Sequence, residues 1–158
     1  MSDIVPLLKL CSLGIIVLSI YTNQNTFKKI NIKEITNNDK SIIDLSSLFG
    51  TGISLGFLGL FSFILVHYVY SSKGNNLIYR FSGFLISLVL IILGCYLLGN
   101  YLDMFYLKEN EVANVDDNVV PEEILKLGYG FSGVTIATGI LMMFHILLFV
   151  GEKSKLKR

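Results

Sequence analysis

The sequence contains no tryptophan, only two cysteines and two prolines, and no Asn-x-Ser/Thr sequon. Two cysteines are too few for a disulfide-stapled secreted module, and neither stretch that reads as a longer loop contains one. Charge is scarce as well: charged residues make up 16% of the 158, with a formal net charge of +1. A chain so nearly neutral has no basic footprint for nucleic acid. Soluble domains carry about 25% charged residues.

What replaces charge is apolar sequence in blocks. Apolar residues reach 53% and the mean hydropathy is +0.64. Four blocks stand out, at 4–21, 48–70, 81–102 and 129–150, separated by polar stretches at 22–47 and 103–128 and by a short connection around 71–80. Crossing about 30 Å of hydrocarbon takes roughly 20 apolar residues in a helix. The last three blocks meet that length. The first is shorter, and its Lys9 lies near enough to the start to snorkel toward the headgroups. A signal peptide is the alternative for block one. Its core, Leu10–Ile20, has the right length, but no small-x-small cleavage site stands near Tyr21 and the head carries Asp3. We expect an all-α integral membrane protein: a four-transmembrane-helix bundle, one domain over 1–158, with two longer loops on one side and a short turn on the other. Tyr21, Tyr68, Tyr70, Tyr79, Tyr101 and Tyr129 fall at block ends, where an amphipathic ring prefers the interface.

Four spans place both termini on one side. Lys73 and Arg80 in the middle turn, and Lys153, Lys155, Lys157 and Arg158 in the tail, hold their cations close to a span. The positive-inside rule then puts both termini in the cytosol. On the other side, Phe27–Ile32 suggests an extended stretch, and a capped turn from Asn38 or Asp39 leads into span two. The 103–128 stretch is acidic, and Pro121-Glu122-Glu123 looks like a helix start. We expect helices three and four to continue past the membrane there as an antiparallel pair held by Leu107, Ile124 and Leu125. The basic first loop, through Lys28 and Lys29, would rest against the acidic third. Asp116-Asp117-Asn118 lacks the ligand spacing and turn glycine of a Ca²⁺ loop.

Chemical motifs are few. Gly130-Phe131-Ser132-Gly133 resembles the G-x-S-G of rhomboid intramembrane proteases over four residues. His145 lies thirteen residues further along the same helix, about 20 Å away, too far to serve as base. His67 and His145 sit at similar depth on two spans running the same way, as the ligands of a b-type haem would, but among bulky neighbours. Cys11 and Cys95 fall at different depths and cannot bridge. No Asp, Glu or Arg interrupts a span, which argues against an ion-coupled carrier.

Small residues recur at helical spacing: Gly52, Gly56 and Gly59 in span two; Gly83, Ser87 and Gly94 in span three; Ser132, Thr135 and Gly139 in span four. Such faces let backbones approach where lipid supplies no hydrophobic drive. Span four has a second small face, Gly130, Gly133 and Ala137, which could serve a partner chain. The plan of four spans, cytosolic ends and a short middle turn resembles the tetraspan layout shared by the claudin, peripheral-myelin and MARVEL groups. The tryptophan, Gly-Leu-Trp and paired cysteines of the claudin first loop are absent, as are the tetraspanin Cys-Cys-Gly and the Cys-x-x-Cys of vitamin-K reductases. We expect a non-enzymatic polytopic protein with no cofactor and no metal site. It would be a small structural or accessory subunit meeting the bilayer and other membrane-protein subunits through its small-residue faces. The alternative is a free-standing claudin- or MARVEL-like organiser of a membrane domain or of trafficking; lesser alternatives are a haem-bearing or pore-forming subunit.

Overall fold

The computed structural model describes residues 4–34, 39–71, 76–110 and 122–155, and every one of them is helical. The helices are α1 (Ile4–Glu34), α2 (Asp39–Ser71), α3 (Asn76–Asn110) and α4 (Glu122–Lys155). Side-chain placement is described for residues 4–25, 48–68, 80–102 and 126–147. Each helix contains a segment long and apolar enough to cross a membrane: Ile4–Asn25, Leu48–Tyr68, Arg80–Leu102 and Lys126–Leu147. Pro6 does not break α1, because it sits in the first turn, where its missing N–H would have no intrahelical partner. Glu122 and Glu123 open α4, where carboxylates face the positive end of the helix dipole.

The helices outrun the apolar blocks. At 31 to 35 residues each is about 46–53 Å long at 1.5 Å per residue. The stretch 22–47, expected as a polar loop, is helix to Glu34 and again from Asp39, and the extended segment expected at Phe27–Ile32 is helical too. The reason is propagation. Thr22–Glu34 contains neither Gly nor Pro, and once α1 exists each added residue costs only its propensity, which is small for Gln, Lys and Glu. Around 103–128, α3 runs past Leu102 to Asn110 and α4 begins at Glu122, as the Pro-Glu-Glu signal suggested. The expected apolar contact of Leu107, Ile124 and Leu125, the Lys28–Lys29 pairing and Asp116–Asn118 lie outside the described side chains.

Neighbours run antiparallel around a ring. Extensive seams join α1 to α2 and α3 to α4, and narrower contacts of α1 with α4 and of α2 with α3 close it. Buried positions alternate by three and four residues. In α1 they are Val5, Leu8, Ser12, Ile15, Ser19 and Thr22; in α2, Leu48, Gly52, Leu55, Gly59, Ser62 and Val66; in α3, Gly83, Ser87, Leu90, Gly94, Leu97 and Tyr101. That mean spacing of 3.5 is a coiled-coil seam. In α4 the buried face is broader, with adjacent pairs Phe131–Ser132, Thr138–Gly139 and His145–Ile146. One side of it meets α3, and Gly14 of α1 approaches Val134 on the other.

The interior holds two apolar clusters, one around Ile15, Leu55, Leu90, Leu97 and Phe131, the other around Val5, Leu8, Val66, Met142 and Ile146. The outer surface is apolar as well. Leu10, Val17, Phe57, Phe61, Phe81, Ile92, Phe144 and Leu147 are all more than half exposed.

Candidate functional site

The two long seams are built from side chains that are small or absent. Between α1 and α2, the Ser19 hydroxyl donates to the Gly52 carbonyl at 2.6 Å and accepts from the Asn23 amide at 3.3 Å. Gly52 lies against Asn23 and Gly56 against Ser19, while a Cβ on Gly59 would come within 3.2 Å of the Ser12 carbonyl oxygen. A step toward the end of α1 thus meets a step toward the start of α2, turn by turn. Such close approach brings Cα hydrogens to facing carbonyls and offers weak C–H···O contacts.

The α3–α4 seam is built the same way. A Cβ on Gly139 would lie 2.8 Å from the Ser87 carbonyl oxygen, and one on Gly94 2.7 Å from Ile136. Gly83 lies under Ile146, and Gly128 under the Tyr101 ring. The Tyr129 hydroxyl donates to the Tyr101 carbonyl at 3.4 Å, and the two rings meet edge to face.

All nine small residues singled out in the sequence therefore have a place. Gly52, Gly56 and Gly59 meet α1; Gly83, Gly94 and Gly139 meet across the α3–α4 seam, where the Ser87 carbonyl also lies. Ser132 and Thr135 are fully buried on α4. Their hydroxyls donate to the carbonyls of Gly128 and Phe131, each at 2.8 Å, and that of Ser87 donates to Phe84 at 2.8 Å. Bonding to the preceding turn satisfies the hydroxyl within its own helix. The second small face of α4 is different. Gly130, Gly133 and Ala137 are exposed, and a Cβ on either glycine would meet nothing within 4 Å.

Sequence reasoning missed the α1 half of its seam. Ser12 and Ser19 are seven residues apart, as are Ile15 and Thr22, and that heptad was the available signal. It also missed the pairing of Lys9 with His67. Lys9 Nζ lies 3.2 Å from His67 Nδ1, with the imidazole stacked on Phe63. An ammonium can only donate, so Nδ1 accepts and the neutral ring carries its proton on Nε2.

His67 and His145 are not brought together. His67 points outward toward α1, whereas His145 is buried on α4, diagonal to α2 in the ring. Between those helices Leu8, Val66, Met142 and Ile146 fill the interior, so the residues present do not fit a bis-histidine haem. Cys11 and Cys95 are both free, on the diagonal pair α1 and α3. The Ser132 hydroxyl of the G-x-S-G run is committed to its own helix.

The outer face of the α1–α2 seam carries a groove of about 480 Å³. It runs from Ile16 to Gln24 on one wall and from Phe49 to Leu60 on the other, with Gly56 and Ser19 at its base.

Comparison of the chain with protein-family models, curated proteins and solved structures finds no match.

Proposed function

We propose that the chain is a polytopic membrane protein without enzymatic activity, acting as a structural or accessory subunit within a larger membrane assembly. The membrane reading rests on one inversion: Gly, Ser and Thr line the seams while Leu, Ile and Phe face outward on all four helices. In water such a surface would aggregate. In hydrocarbon it costs nothing, and small seam residues are what helix packing there requires. Helices whose backbone groups are satisfied internally complete the requirement. The positive charges flanking the middle turn and the tail support cytosolic termini.

The subunit reading is supported by the outward face of Gly130, Gly133 and Ala137, which leaves room for another helix to approach α4 closely. Extraction in mild detergent, followed by native-size measurement and mass spectrometry, tests it. We expect a defined heteromeric complex. A monomer or homo-oligomer would instead favour the second reading, a free-standing tetraspan organiser of a membrane domain. That reading has its own support: the glycines of α2 and α3 that meet a neighbour are spent inside the bundle, so the fold closes on itself.

A further inference from the structure

We propose that the groove between α1 and α2 is a binding site for a single phospholipid with an anionic headgroup. The inference rests on the membrane reading above and adds a ligand to it.

The groove grades in polarity along its length. Its deep part, toward the middle of the apolar segments, is walled by Ile16, Ile20, Ile53, Phe57 and Leu60. Its mouth, at the other end of α1, is formed by Asn23 and Gln24. From Ile16 to Gln24 is eight residues, about 12 Å of helix, and the α2 wall from Phe49 to Leu60 is about 16 Å. That is the order of ester-to-chain polarity in a lipid: the apolar tail lies along the isoleucines and phenylalanines, and the glycerol-ester region meets the two carboxamides. The depth exists because Gly56 has no side chain and Ser19 turns its hydroxyl to the Gly52 carbonyl, away from the cleft. A volume of about 480 Å³ falls within the range of small-molecule sites, which are largely apolar with a few placed polar groups.

Charge selects the headgroup. α1 continues as helix past the mouth, and Lys28 and Lys29 follow Gln24 by about one turn. A phosphate held at Asn23 and Gln24 lies at their level, and juxtamembrane lysines attract anionic lipid.

Because the sequence has no tryptophan, a single introduced indole is a clean reporter. The full chain carrying Phe57→Trp, in the groove, is compared with Phe144→Trp, exposed on α4 away from it. Each is reconstituted in phosphatidylcholine vesicles holding a minor fraction of brominated phosphatidylglycerol or of brominated phosphatidylcholine. We expect brominated phosphatidylglycerol to quench Phe57→Trp at least threefold more than Phe144→Trp, and brominated phosphatidylcholine to quench both alike. Adding Lys28→Gln and Lys29→Gln to Phe57→Trp should remove the excess. Equal quenching of both reporters by both lipids overturns the site and leaves the membrane reading intact. Excess quenching at Phe57→Trp by both lipids overturns the anionic selection. Strong quenching at Phe144→Trp with little at Phe57→Trp shows that protein covers the groove, and overturns the lipid. No quenching at either position overturns the membrane reading itself.

Discussion

The Ser19 hydroxyl reaches across the α1–α2 seam to the Gly52 carbonyl at 2.6 Å, a direct side-chain bond between these two helices. The other seam hydroxyls, those of Ser12, Ser87, Ser132, Thr135 and Thr138, turn back to their own helices. Interhelical hydrogen bonds in membranes average about 0.6 kcal/mol and reach about 1.7. Ser19→Ala should therefore lower stability by roughly that amount, and Ser12→Ala by less, in reversible unfolding by a denaturing detergent. Equal costs for the two would mean that the cross-helix bond contributes nothing of its own.

Glycine substitutions should grade by what the added carbon meets. At Gly139 it meets the Ser87 carbonyl, which is backbone and cannot turn aside; at Gly56 it meets the Ser19 hydroxyl, which can. At Gly130 it meets open space. Gly139→Leu should cost about 1–3 kcal/mol, the overpacking range. Gly56→Leu should cost less, and Gly130→Leu should leave the isolated chain unchanged in the same unfolding assay. Loss of a native partner on Gly130→Leu alone would mark that face as the docking surface. If Gly130→Leu unfolds the chain as readily as Gly139→Leu, the seam assignment fails.

Lys9 fixes the imidazole tautomer of its neighbour. Above the ordinary imidazole range, the nitrogen spectrum of His67 should show Nδ1 unprotonated and Nε2 carrying the proton. Lys9→Met should relax that preference. A ring protonated on Nδ1 in the parent chain would rule out the contact.

Topology is open to accessibility mapping. Tags at Met1 and Arg158 should both be reached from the cytosol, and a tag at Asn114 should not. Finding the two termini on opposite sides would contradict an even number of crossings.

Much of this architecture was legible in the residues. Four long apolar blocks had to become four helices, because only a helix satisfies every backbone N–H and C=O within one segment when no water is at hand. Their number, their antiparallel order, the short middle turn and the start of α4 behind Pro121 follow from block spacing and end signals alone. Which face of each helix turns inward does not. Helices that are apolar all round carry little amphipathic signal, so inward and outward leucines look the same in the sequence. α4 bears two small stripes. Only its packing against α3 and α1 makes Ser132, Thr135 and Gly139 the inner one and leaves Gly130, Gly133 and Ala137 outside. His67 and His145 share a depth, yet the ring order turns one out to Lys9 and buries the other. The α1–α2 groove is likewise a property of the pair: it is the space left where Gly56 meets Ser19 and the flanking isoleucines and phenylalanines splay apart. Length and hydropathy are sums along one chain, whereas seams and grooves depend on which two surfaces touch, and that was decided only in the tertiary structure.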